Sequence, residues 1–344
     1  MRPRALTILA AVTVLAVLAA VFVVANAPRT APPRAGAALY PGLIDRVNEV
    51  RRIEIVRTER TFAIERAGEG WAMTDRAGYP VRFEKVKAAL VALAEMTTVE
   101  AATRKPEWYD RIEVGDAGPD STGGQITLKD GDGAVMASLI LGARAYSRGT
   151  ANEQMYVRKA GEEQAWLVKG IVDPGRRAVD WLEREIVDLS RERVAEARLF
   201  PEGEAPIVVR KTPGETTKFD LASLPEGREV RAPIDVWSIG GLLEKVELHD
   251  VARADAVGMG DDISPAAEVR TADGLVVVVR LATRGEESWA SFAASATAGA
   301  SAEIRAEAET LNARLGGWAY QLQGPVKSRL RTKLEDLLEA PKSS

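Results

Sequence analysis

The sequence predicts an α+β protein: an N-terminal single transmembrane helix followed by two tandem repeats of mostly antiparallel sheet with helices packed on it. Three observations lead there. Residues 6–24 are almost unbroken Leu, Ala, Val and Ile, with Thr7 and Thr13 as weak polar interruptions. Short runs that alternate apolar and polar residues recur through the rest of the chain, the pattern of half-buried strands. That pattern of strands, helix, strands, helix then restarts near residue 191.

The apolar run comes first. At 1.5 Å per residue, about 20 such residues cross the roughly 30 Å hydrocarbon core of a bilayer. Arg2 and Arg4 precede the run and the next charge is Arg29, so the N-terminus is expected in the cytoplasm and the remainder outside, in the periplasm of a bacterial cell. Ala25-Asn26-Ala27 fits a signal-peptide cleavage site. The run is longer than a signal core, however, and Pro28 is a poor residue to follow a cut, so an anchor at residues 1–27 is the expected reading. With no Cys in the chain, a lipid-modified Cys anchor is excluded. Residues 28–39 are rich in Pro, Ala and Arg and read as an extended linker.

Residues 40–190 form the expected first repeat. Ile53-Glu54-Ile55 and Phe62-Ala63-Ile64-Glu65 alternate as strands, and Ala67-Gly68-Glu69-Gly70 turns before Trp71. Phe83, Val86, Leu90 and Leu93 form one apolar stripe of a helix expected over 83–96. Lys129-Asp130-Gly131-Asp132-Gly133 signals a hairpin. Met155–Arg158 and Ala165–Val168 form another, and a helix is expected over 175–185.

Residues 191–340 form the expected second repeat. Val50, Ile55 and Ile64 match Val194, Leu199 and Val208 at an offset of 144. Pro80, Val86, Leu90 and Leu93 match Pro233, Ile239, Leu243 and Val246 at an offset of 153, so a second-copy helix is expected to run to about residue 249. Val269-Arg270 and Asp273-Gly274 echo the first Asp-Gly hairpin. An Ala-rich insertion, part loop and part helix, is expected over 291–314, and a closing helix over 327–338. Such internal repetition is the mark of one supersecondary unit used twice.

Composition narrows the chemistry. Asp and Glu number 50 against 46 Lys and Arg, with no basic face, so nucleic acid is not an expected partner. Without Cys there are no disulfides, thiol nucleophiles or Cys–metal sites, and a single His, His249, rules out a multi-His metal centre. His249 lies between Glu247-Leu248 and Asp250 and could serve as a general base, but the matched residue is the packing residue Met96, so a surface role at a helix end is favoured. Asp130-Gly131-Asp132-Gly133 resembles a calcium loop, yet position twelve is Leu141, which binds nothing, so a tight turn is expected. No P-loop, dinucleotide fingerprint, nucleophile elbow or HExxH motif is present. No catalytic, cofactor-binding or metal-ligating residue is therefore assigned, and no cofactor is expected. The candidate partner contact is Trp108 with Tyr109, flanked by Lys105, Asp110 and Arg111. Adjacent aromatics among charges suit a protein or glycan contact, while a core plug under the connection is the plainer use of Trp108.

The apolar N-terminus, the strands Val50-x2-Ile53-x-Ile55 and Phe62-x-Ile64-x-Arg66 leading to Trp71, the Pro80–Leu93 helix, the Asp-Gly hairpin and Met155-Tyr156-Val157-Arg158 resemble the DUF4340 family over most of residues 40–340. One departure is Pro106–Asp110, where members of the family often carry a Gly-Leu-Asp-like step. The resemblance implies a bacterial envelope protein encoded beside gliding-motility-type ABC transporters, and it carries no catalytic residue. The expected function is accordingly a single-pass inner-membrane protein, not an enzyme, whose periplasmic domain binds or scaffolds ABC transporter subunits. A cell-wall or polysaccharide-binding module is the alternative, and a carboxylate-based hydrolase comes last.

Overall fold

The computed structural model describes residues 35–57, 60–118, 121, 123–145, 153–260 and 262–340. The expected membrane helix at 6–24 and most of the linker lie outside them. Among the described residues no helix is long and apolar enough to cross a membrane.

The described chain opens with α1 (Leu43–Arg46), then β1 (Arg52–Arg57), β2 (Arg60–Ala67), β3 (Gly70–Met73), β4 (Tyr79–Pro80) and α2 (Phe83–Ala94). There follow β5 (Thr97–Thr103), β6 (Gly124–Lys129), β7 (Val135–Ala145), β8 (Gln154–Lys159), β9 (Ala165–Lys169) and β10 (Glu185–Val187). The second series is β11 (Val194–Leu199), β12 (Ile207–Lys211), β13 (Phe219–Leu221), α3 (Pro233–Gly240), β14 (Val246–Arg253), β15 (Pro265–Thr271), β16 (Leu275–Arg284) and β17 (Glu287–Ala296). It closes with α4 (Ala302–Leu315), β18 (Trp318–Leu322), α5 (Gly324–Leu330) and α6 (Leu334–Leu337).

By contacts the chain divides into two units, the first holding the described parts of 1–50, 55–60 and 88–174, the second 51–54, 61–87 and the described parts of 175–344. The division passes through β1. In the first unit the strand order runs β1-β6-β7-β8-β9-β5. In the second, β4-β3-β2-β1 forms one set and β13-β12-β11-β15-β16-β17-β18-β14-β10 another. Read through β1, the first series and the second have the same order, strand for strand, from β3 to β5 and from β13 to β14. Every registered strand pair is antiparallel. The α+β class with two antiparallel sheets is therefore observed directly.

Hydrophobic pattern explains the elements. Ile53, Ile55 and Ile64 on β1 and β2 are fully buried, as are Ala197, Leu199 and Val209 on β11 and β12. On α2 the stripe Val86, Leu90 and Leu93 is buried, while Phe83 stays 49% exposed. The run Leu275–Val279 carries almost continuous Val because β16 lies inside its sheet, with β15 and β17 on its sides. At β18 of the second unit, Tyr320 packs edge-on to Tyr79 and Phe292, and burial raises its hydroxyl pKa far above the ordinary phenol value.

Several expectations change. Val81 bridges Leu182 and Val230 bridges Leu338, while Arg82 N donates to Trp181 O and Arg231 N to Leu337 O. Val81 thus matches Val230, an offset of 149 rather than 153. A slip of about one helical turn leaves an apolar stripe in phase, which is why sequence alone accepts the wrong partner. On β12 the buried residue is Val209, not Val208, because Val209 pairs with Leu221 as Ile64 pairs with Met73. A one-residue error on a strand reverses the face.

The helix expected over 175–185 is a short 3-10 turn, Ala178–Trp181, followed by β10. Leu182 leaves the turn to pair with Val81, and Asp180 accepts the backbone N–H groups of Arg176 and Arg177 at 2.8 and 2.9 Å. The closing helix is two pieces, α5 and α6, with Asp336 accepting Lys333 N at 2.9 Å in the same arrangement. The insertion begins as strand, since β17 runs to Ala296, and only α4 is helical. The second-copy helix ends at Gly240, where a Cβ would lie 2.4 Å from the Phe219 ring. Only a glycine lets the helix approach that ring.

Candidate functional site

After β5 the chain enters a 3-10 turn, Pro106–Ile112, that ends on Glu113 in the left-handed region at φ 59°. Pro106 supplies the fixed φ at its first position. The turn separates the two aromatics that sequence places together. Trp108 is 47% exposed, and the Arg111 guanidinium lies 4.6 Å from its ring centroid. Tyr109 is buried against Val114, Ile140 and Ala165, with Ile112 and Tyr156 beside it. The core plug of this connection is Tyr109, and Trp108 is the surface residue.

Tyr109 is held from three directions. Its hydroxyl donates to Glu163 O at 2.5 Å, its backbone carbonyl accepts Val114 N at 3.0 Å, and Arg158 covers its ring at 4.6 Å. Arg158 on β8 is itself buried. Its Nε donates to Val114 O and its Nη1 to Glu162 O, both at 2.8 Å, and its Nη2 pairs with the Asp116 carboxylate. A buried guanidinium is tolerable only when its donors are satisfied, and here the segment after the turn, through Val114 O and the Asp116 carboxylate, and the neighbouring hairpin, through Glu162 O, satisfy them. The result is a rigid platform carrying an exposed Trp–Arg stack beside Lys105, Glu107 and Asp110. Such a stack has a flat apolar face and charged edges, suited to a partner surface. Arg158 is the residue that sequence reading missed as part of this platform. The signal available was an Arg set directly after the apolar run Met155-Tyr156-Val157.

The remaining sequence candidates lie elsewhere. His249 is exposed on β14, a strand rather than a helix end. Its neighbouring carboxylates are engaged: Asp250 accepts Arg76 Nε at 2.7 Å and Nη2 at 3.0 Å, and Glu247 pairs with Arg184 at 2.8 Å. Asp130 Oδ1 accepts the N–H groups of Asp132 and Ala134 at 3.0 and 2.9 Å, so it closes its own turn. Among the described residues no group of three or more His, Cys, Asp or Glu is placed to hold a metal.

The family model described as "Domain of unknown function (DUF4340)" matches residues 71–258, more than half of the chain. The chain belongs to the DUF4340 family. The matched span of this DUF4340 protein opens on Trp71 in β3 and ends at Gly258, so it includes the whole Pro106–Ile112 turn and its platform. No curated protein and no solved structure matches the chain.

Proposed function

We propose that this DUF4340 protein is a membrane-tethered binding or scaffold protein, held in a bacterial inner membrane by residues 6–24 with its N-terminus cytoplasmic and its folded part periplasmic. Its partners in this reading are subunits of an envelope ABC transport system. The observation that carries the binding role is the exposed Trp108–Arg111 stack on the platform built by Tyr109 and Arg158. An exposed large aromatic costs solubility, and aromatic and Arg residues are the usual anchors of protein interfaces. The apolar run supplies the tether, and the family resemblance supplies the class of partner. The protein acts by holding its partner rather than by catalysis.

Crosslinking in intact membranes followed by affinity capture tests this. Recovery of transporter subunits with the wild type, reduced by Trp108→Ala, is the expected result. Repeated recovery of no transporter subunit overturns it. The exposed face of Trp108 also suits sugar stacking, the basis of the cell-wall or polysaccharide alternative. Retention on isolated envelope polymers, lost in Trp108→Ala, would select that alternative. A carboxylate-based hydrolase has least support, since Glu247 and Asp250 beside the lone His are both tied to arginines.

A further inference from the structure

The place in the second unit that corresponds to the Tyr109 platform is packed differently and borders a cavity. After β14 the chain makes a 3-10 turn, Asp255–Val257, that ends on Gly258 in the left-handed region at φ 64°. Its hydrogen bonds repeat those of the first turn. Gly258 N donates to Asp255 O and Met259 N to Ala254 O, as Glu113 N donates to Asp110 O and Val114 N to Tyr109 O. Ala254 therefore stands where the first unit has Tyr109. On the sheet beneath, Ile140 pairs with Arg158 in the first unit and Arg280 pairs with Ser291 in the second. The hairpin registers, Leu128 with Ala137 and Val269 with Val277, make these the same two positions. Ser291 replaces the buried Arg158, and Arg280 replaces the buried Ile140.

Met259, Ala282, Trp289 and Ala319 pack beside Ala254 here, but they do not fill all the space that a tyrosine and an arginine side chain take in the first unit. A cavity of about 700 Å³ lies there, lined by Ala254, Met259, Arg280, Ser291, Asn312 and Trp318 among others. Its size is that of a small-molecule site, which typically holds about 300–1,000 Å³. The short 160–164 hairpin of the first unit, whose carbonyls accept Tyr109 and Arg158, is replaced by the longer connection that carries α4. That helix supplies one wall through Asn312 and Leu315. Asn312 is held by both bonds of its amide to Ala294, at 2.8 and 2.7 Å, so the wall is rigid.

The charges at the cavity are informative. Arg280 Nε is buried with no hydrogen-bond partner, whereas every nitrogen of Arg158 has an acceptor. A buried, unmet donor is costly, and an arriving anion would repay a guanidinium placed this way. Arg253 lies over the Trp318 ring at 4.6 Å and adds a second cation, while Asp255 and Asp262 also line the cavity. Among the described lining residues two arginines stand against two aspartates, so the anion's hold comes from the unmet Arg280 donor rather than from net charge, and one carboxylate matches that single donor better than a polyanion. Met259, Phe292, Leu315 and Trp318 give the wall an apolar part.

We infer that the second unit has turned this position into a binding site for a small monoanion, a carboxylate with an apolar body, seated on Arg280 beside Trp318. This inference is independent of the scaffold reading, because its residues are separate from the Trp108 surface. The test is thermal unfolding of the full chain in detergent micelles, with hexanoate or benzoate as probe, and with benzyl alcohol and inorganic phosphate as controls. The expected result is a rise in Tm of about 2–4 °C with a carboxylate at some tenfold above its Kd, and no rise with either control. Arg280→Ile, which installs the residue of the first unit, is expected to fold and to lose the carboxylate shift. Ser291→Phe, which fills the cavity and leaves Arg280 in place, is expected to lose it too and serves should Arg280→Ile not fold. No shift with any carboxylate overturns the inference. A shift that survives either variant, or an equal shift with benzyl alcohol or phosphate, overturns it as well.

Discussion

The turns Pro106–Ile112 and Asp255–Val257 follow equivalent strands, end on left-handed residues and make the same backbone hydrogen bonds, yet they cover different things. The first encloses a tyrosine ring sealed by an arginine. The second packs on Met259, Trp289 and Ala319 and borders a cavity lined by a different arginine. A duplicated backbone keeps its strand order because main-chain hydrogen bonding is indifferent to most side chains. What the space inside does is set by three positions, Tyr109, Ile140 and Arg158 in one copy and Ala254, Arg280 and Ser291 in the other. Under the two proposals above, one copy binds a small ligand and the other presents an outer contact surface.

The largest expected effect comes from breaking the filled copy. Tyr109→Ala removes a buried ring and a hydroxyl that bonds Glu163 O, and should cost about 3–5 kcal/mol in urea unfolding. The companion change Ala254→Tyr enters a cavity and should shift stability by less than about 1 kcal/mol. Equal costs for the two would erase the difference between the turns. Next comes Arg158→Met. It leaves the carbonyls of Val114 and Glu162 without their donor, and a loss of about 2–3 kcal/mol is expected, read from the urea midpoint at unchanged slope.

A smaller effect distinguishes the two β-hairpins at the start of each copy. Arg52 pairs with Glu65 in the first, and at the matching positions Glu196 pairs with Arg210 in the second, with the charges exchanged. Glu196 is the better shielded carboxylate, its side chain 14% exposed against 45% for Glu65. Burial pushes the Glu196 carboxyl up, but its bonds to Arg210 and Arg198 outweigh that and hold it below the ordinary value. Its stabilisation is therefore complete above the usual glutamate range and is lost as pH falls through the depressed folded value. Unfolding midpoints measured from pH 6 downward should fall less steeply in Glu196→Gln than in the wild type. The smallest effect is Trp108→Ala. Its half-exposed ring stacks on Arg111, so unfolding should shift by less than about 1 kcal/mol while partner capture falls.

Local pattern was enough for some of this. Alternation named β1, β2 and the Asp-Gly hairpin, and the Phe83–Leu93 stripe named α2, because strand and helix periods are written in single residues. The buried Arg158 and the cavity beside Ala254 were not legible that way. Tyr109 and Arg158 stand far apart in sequence and meet only once β8 lies under the turn, while Ala254 and Ser291 read as ordinary small residues until their counterparts are known. The matched helices were placed one turn out of register because an apolar stripe repeats every turn, and only the bridges Val81–Leu182 and Val230–Leu338 select among its phases.

From sequence alone follow the apolar segment at 6–24, the α+β class, the restart of the pattern near residue 191 and the resemblance to DUF4340, since each depends on periodicity, composition or short-range order. Tertiary structure alone decides which aromatic faces water, which Arg lies buried and where one copy of the duplicated unit borders a cavity. Those outcomes depend on cross-strand register, and register is set by hydrogen bonds between segments that the linear order leaves far apart.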